Sequence, residues 1–317
     1  MEQMIWALYM ECSRHMWDDE TTPGRWWYAP AKYQEYNDVD LETWDNTVRF
    51  AAEQGVNMIL VDVGDMLRYE KHPEIAAPDA WSKDFMRKKL DEMRALGIEP
   101  IPKLNFSTGH DTWMKLYRRM VSTPAYYQLC SDLIAEVCEV FGSPRFFHLG
   151  LDEERPNAQQ FHEMTIVRGA ALWWHDAYFL FDECEKHGAR PWIWADYYQD
   201  HPKEFAEKMP RSVLLSNWYY HQFMDYPETN ISYKRIRTYE GLAELGFDQV
   251  PAGATLVYND NIRETMIHAK KVIRPENLKG FMATAWYNIA PKQRFRLLNE
   301  PLQLRLAREE VFPETDH

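Results

Sequence analysis

Cysteine is scarce in this chain, and the four present, Cys12, Cys130, Cys138 and Cys184, form no CxxC or CxH grouping. That spacing argues against a disulfide framework or a structural zinc and leans toward a reducing compartment. No basic start followed by an apolar core opens the sequence, and no apolar run is long enough to cross a bilayer. The expectation is a cytoplasmic protein with no membrane partner, although a secreted protein after processing would read the same way. Positive charge is short too: 36 Lys and Arg against 49 Asp and Glu give a net charge of -13, which disfavours nucleic acid as a partner. Gly-x-Ser-x-Gly, Walker and dinucleotide signatures are missing, and no His-x-x-x-His or His-x-His pair accompanies the acids. Neither a cofactor nor a metal is expected. No linker, low-complexity tract or repeat divides the chain.

What is present points to a large core and a polar, ring-lined site. Of the 317 residues 45% are hydrophobic and 15% aromatic, with 13 Trp and 18 Tyr. Flat rings with a polar tip suit a carbohydrate. Short apolar runs at 4–10, 56–63, 98–106, 146–151, 191–197, 213–219, 254–258 and 280–287 alternate with longer stretches, several of them amphipathic, such as 82–96, 124–141 and 165–187. Gly55, Gly97, Gly142, Gly188 and Gly246 stand where helices should end, and Pro124 after Thr123 marks a helix start. Eight strand-helix units in order predict an α/β protein, a single (β/α)8 TIM barrel filling residues 1–317. An open doubly wound sheet is the alternative, but no glycine-rich loop follows the first strand.

The stretch 146–154 reads Phe-Phe-His-Leu-Gly-Leu-Asp-Glu-Glu. With a strand's period of two, His148, Gly150 and Asp152 share one face, and Glu153 falls where strand gives way to loop. Adjacent acids at the end of a buried strand must be desolvated or paired, so they mark a candidate site. In a barrel the catalytic side chains come from the C-terminal ends of several strands. Those ends carry Glu11, Arg14 and His15; Asp62 and Asp65; Asn105 and His110; Asp152 and Glu153; Trp194 and Asp196; Asn217 and Trp218; Tyr258, Asn259 and Asp260; and Trp286 and Asn288. Acids, one arginine and three tryptophans around one rim describe a sugar pocket better than a phosphate pocket.

At these positions the chain resembles the β-N-acetylhexosaminidases of glycoside hydrolase family 20. His148-Leu-Gly-Leu-Asp152-Glu153 matches that family's His-x-Gly-x-Asp-Glu signature. Ser13-Arg14-His15 looks like its sugar-binding arginine segment, with Glu11 where aspartate is more usual. Gly64-Asp65 followed by His72-Pro73-Glu74 is similar to its segment after strand two, and Gly109-His110 to its Pro-Gly-His stretch, with Thr108 replacing the proline. Trp194-Ala195-Asp196, Trp218 and Tyr258-Asn259-Asp260 fall in the family's order. Trp286-Tyr287-Asn288 departs from it, with Asn where a sugar-binding Glu is common, and the family's usual N-terminal accessory domain is not expected.

The resemblance implies retaining, substrate-assisted removal of terminal β-linked N-acetylhexosamine, GlcNAc or GalNAc, in which the 2-acetamido oxygen attacks C1. Asp152 would orient the acetamide, and Glu153 would act as general acid and base, with burial and Asp152 raising its pKa toward neutrality. Tyr258 would donate to the acetamide oxygen, while Trp194, Trp218 and Trp286 wall the sugar. Arg14 would present paired donors to vicinal hydroxyls, with Asp260 and Asn288 on the remaining ones. Asp65 and His110 would support the acid as a pair, and His148 reads as an interior histidine. The rivals are a non-catalytic glycan-binding barrel and a retaining glycosidase with Asp196 or Asp260 as nucleophile. A homodimer is the one protein partner raised.

Overall fold

The computed structural model describes residues 3–19 and 33–313. Eight parallel strands form its centre: Ile5–Glu11 (β1), Met58–Asp62 (β2), Glu99–Lys103 (β3), Phe146–His148 (β4), Arg190–Trp194 (β5), Leu214–Ser216 (β6), Ala252–Gly253 (β7) and Gly280–Asn288 (β8). The sheet runs β6-β5-β4-β3-β2-β1-β8-β7. Its two ends meet through Leu215 N–H to Asp248 O, Val250 N–H to Leu215 O and Ala252 N–H to Asn217 O, at 3.1, 2.9 and 2.9 Å. These contacts complete a (β/α)8 barrel.

Helices wrap the barrel: Leu41–Glu53 (α1), Lys83–Ala95 (α2), Pro124–Val140 (α3), Ala170–Lys186 (α4), Asp196–Asp200 (α5), Pro202–Lys208 (α6), Ile231–Glu244 (α7), Asn261–Val272 (α8) and Arg294–Val311 (α9). The side chain of Asp40 caps α1 by accepting from Thr43 N–H at 2.8 Å, and Ser82 and Thr123 do the same for α2 and α3. Gly55, Gly97, Gly142, Gly188 and Gly246 all take positive φ just past a helix, as their positions in the sequence required.

The period of two along each strand sorts side chains between two cores. Ile5, Ala7 and Tyr9, Met58 and Leu60, Trp192 and Trp194, and Met282 and Trp286 fill the barrel interior. Leu8 and Met10, Ile59 and Val61, Ile193, and Phe281, Ala283 and Ala285 face the helices. The same alternation, continued toward the C-terminal ends, turns Glu11, Asp62, Lys103 and His148 inward above the apolar layer.

Several strands are shorter than expected, and two boundaries differ most. Strand seven is Ala252–Gly253, ahead of the expected 254–258, because the ladder stops where side chains take over the backbone: Ala254 N–H donates to Asn261 Oδ1 at 3.0 Å and Thr255 N–H to Glu300. Helix α4 starts at Ala170 although the apolar pattern begins at 165. Gln159 holds both backbone groups of Ile166, and the Arg168 guanidinium turns inward to Glu154 and Asp176.

Candidate active site

Just past β4 the chain leaves extended geometry: Gly150, Leu151 and Glu153 adopt φ of +74°, +63° and +51°. Side chains rarely tolerate this region, so the surroundings must impose it. Gly150 is required because a Cβ there would lie 1.9 Å from Asn105 Oδ1. The twist directs Asp152 inward, 5% exposed, and leaves the Glu153 side chain 32% exposed at the mouth.

His110 stands between the two acids, its Nε2 3.3 Å from Asp152 Oδ2 and 3.4 Å from Glu153 Oε2. Burial alone would lower its pKa, but the charges of both acids outweigh this and lift it to about 10. In return the His110 cation overcomes the burial of Asp152 and, with Lys103 and the Asn105 Nδ2 bond at 3.0 Å, holds that carboxyl down at about 2. Ser107 Oγ donates to the Asp152 carbonyl. Glu153 is also lowered: His110 outweighs burial and Asp152 repulsion. The sequence led us to expect a raised Glu153 pKa, and the neighbouring imidazolium reverses that sign.

The expected pair of Asp65 with His110 does not form. Asp65 is engaged by His15 Nδ1 at 2.5 Å, Ser13 Oγ at 2.8 Å and Asn37 Nδ2 at 3.1 Å. His148 lies deeper, buried among Trp192 and Trp194, and its Nδ1 accepts from Gly150 N–H at 3.1 Å. Burial and Lys103 push its pKa well down, so it is a neutral interior histidine.

Of the expected sugar-binding residues, Trp194 and Trp286 are buried neighbours with ring centroids 6.1 Å apart, and Trp218 is half-buried at the rim. The Trp218 indole N–H donates to Asp196 Oδ2 at 2.8 Å, and the Arg235 guanidinium lies 4.3 Å over its ring. Arg14 is buried after β1, its guanidinium facing Glu11 and Asp38 electrostatically. Asn288 ends β8 in register with Glu11. Burial and Asp62 raise Glu11 to about 8, against the pull of Lys103 and Arg14.

Tyr258 and Asp260 are not brought to the acids. The Tyr258 hydroxyl donates to Glu264 Oε1 at 3.4 Å, and Asp260 is exposed at the head of α8, 3.8 Å from Arg263. The Tyr220 hydroxyl lies within the electrostatic reach of Asp152 and Asp196. It accepts from Trp286 Nε1 at 2.9 Å and from Thr284 Oγ1 at 3.2 Å, and its ring stacks on Trp218. Sequence reasoning passed over Tyr220, although its two-residue spacing from Trp218 was a usable signal. Trp17 was passed over too. Its ring centroid lies 4.5 Å from that of His110 and 5.8 Å from that of Trp286. Arg235, on α7, carried no local signal. Among the described residues no cluster of His, Cys, Asp and Glu could hold a metal.

Solved structures share this architecture over nearly the whole chain. The Flavobacterium johnsoniae chitobiase aligns at TM-score 0.61 and 15% identity, covering 96% of this chain and 50% of that one. The fold is that of a glycoside hydrolase family 20 barrel. The family 20 β-N-acetylhexosaminidase of Streptomyces coelicolor A3(2) aligns at 0.62 and 12% identity over 98% of this chain and 69% of that one. Dispersin B aligns at 0.62 and 14% identity over 96% and 99%. The chain spans half the length of the chitobiase and nearly all of dispersin B. No family model and no curated protein matches the sequence.

Proposed function

We propose that the chain is a glycoside hydrolase that removes terminal β-linked N-acetylhexosamine by substrate-assisted, retaining hydrolysis. The observation that carries this reading is the Asp152–His110–Glu153 cluster at the mouth of a family 20 barrel, with Asp152 held ionised and Glu153 open to solvent. Asp152 accepts the acetamide N–H, turns its oxygen toward C1 and offsets the positive charge that develops on the cyclised ring. Glu153 protonates the departing oxygen and then takes a proton from the incoming water. His110 lies against Glu153 Oε2 and lowers its pKa, so substrate that shields the carboxyl from this cation favours the protonated acid.

In this scheme Trp194, Trp218 and Trp286 wall the sugar, Arg14 and Asn288 address its hydroxyls, and Tyr220 takes the acetamide-donor role in place of Tyr258. Two of its hydroxyl's contacts are with donors on β8, which leaves its own proton for a ligand. Its ring also shares the stack of Trp218. A protein nucleophile is less well supported, since both Asp196 oxygens already accept N–H bonds and Asp260 is exposed beside Arg263 at the head of α8.

The test is inhibition by the sugar-fused thiazoline, in which sulfur replaces the acetamide oxygen of the cyclised intermediate. We expect competitive inhibition far tighter than substrate binding, largely lost in Asp152→Asn. An active enzyme that ignores the thiazoline would overturn the assisted route.

A further inference from the structure

Asp196 is the first residue of α5, immediately beyond β5, and is 6% exposed. Its two oxygens are divided between different parts of the site. Oδ1 accepts the main-chain N–H of Glu153 at 3.3 Å, and Oδ2 accepts the Trp218 indole N–H at 2.8 Å. Glu153 holds φ of +51°, a conformation its side chain disfavours, so an acceptor fixed on another strand's exit stabilises the acid's backbone. The same carboxylate orients the ring that stacks on Tyr220.

Resting on the hydrolase reading above, we propose that Asp196 is a positioning residue: one carboxylate that holds the Glu153 acid/base group and the Trp218 wall in a common register. Burial, then Asp152 and Glu153, push Asp196 up to about 7, as expected of a carboxyl sharing the field of both acids. An amide cannot replace it fully, because Asn offers one acceptor oxygen to two donors.

The experiment compares the wild type with Asp196→Asn, Asp196→Ala and Glu153→Gln, and with Asp196→Ala combined with Glu153→Gln, on β-N-acetylglucosaminides of graded leaving-group pKa. Asp196→Ala should lower kcat/KM by about 10²-fold on an alkyl aglycone, the scale of a misplaced catalytic group. The loss should be much smaller on a dinitrophenyl aglycone, which needs little protonation, and Asp196→Asn should fall between. In the Glu153→Gln background Asp196→Ala should add almost nothing, since a residue acting through Glu153 has nothing left to position.

Equal losses on all aglycones, or full additivity in the double variant, would overturn the positioning role while leaving the hydrolase reading intact. A wild type silent on every glycoside would overturn both. If Asp196→Ala does not fold, Trp218→Phe reads the other arm by removing the indole N–H together with the five-membered ring that carries it. It should raise KM more than it lowers kcat, and an unchanged KM would count against the shared register.

Discussion

The His110 imidazole is flanked by Asp152 and Glu153 at 3.3 and 3.4 Å, and its charge sets the sign of the shifts around it. Asp152 is held at about 2, below the ordinary 3.8 of an aspartate, so the stability it contributes is present above the unfolded value and lost as pH falls toward 2. His110 is raised from 6.5 to about 10, so its contribution is complete below 6.5 and lost as pH rises toward 10. The pair therefore stabilises the fold most in the window between 3.8 and 6.5. Replacing His110 by Gln leaves Asp152 buried without its cation, at a cost of roughly 3–5 kcal/mol. In denaturant titrations the gap between wild type and His110→Gln should be widest in that window and narrow on either side. A gap independent of pH would contradict the charge pairing. The same variant frees Glu153 from its cation, so the Glu153 limb of the kcat/KM profile should move to higher pH. At this scale Asp152, Glu153 and His110 were legible because they occur in short local patterns. Trp17 and Arg235 were not, since only the folded barrel brings them to the site, and Tyr220 was marked only by its spacing from Trp218.

The exit of β4 works as one element with the loop after β3. Asn105 donates to Asp152, and Gly150 lies so close to Asn105 that no Cβ fits between them. Gly150→Ala should cost about 1–2 kcal/mol for its left-handed φ alone, with more for the clash. It should also lower turnover by displacing Asn105 from Asp152. Adding Asn105→Ala should recover part of the melting temperature but not the turnover. Recovery of both would mean that Asn105 does not orient Asp152. Strand and helix order was readable from apolar periodicity, and the helix ends from glycine. The seventh strand was misplaced because the backbone at Ala254 and Thr255 is taken by Asn261 and Glu300, residues whose hydrogen bonds leave no pattern in the local sequence.

Across the whole molecule, buried acids shape the response to pH. Burial raises Glu11 to about 8, Glu300 to about 7 and Asp196 to about 7, from ordinary values of 4.5, 4.5 and 3.8. A carboxyl raised on folding contributes stability below its unfolded value and loses it as pH climbs through its folded value. The melting temperature should accordingly fall between about pH 5 and pH 8, and Glu11→Gln should flatten that slope. A melting temperature that rises over the range would contradict this distribution of protons. The barrel itself was legible because eight apolar runs separated by helical stretches admit few other closed arrangements. The linking of its mouth into one constellation depends on contacts between residues far apart in sequence, such as Glu153 with Asp196 and Asn105 with Asp152.

In the proposed mechanism a sugar's own acetamide group, oriented by Asp152, does the work of a nucleophile. Its most direct test is hydrolysis of chromogenic β-glycosides of N-acetylglucosamine, N-acetylgalactosamine, glucose and galactose by the wild type and by Glu153→Gln. Turnover should be confined to the acetamido sugars, and about 10²–10⁴-fold slower in Glu153→Gln where the aglycone needs protonation. Comparable turnover of the glucose or galactose glycosides, or silence on all four, would contradict it.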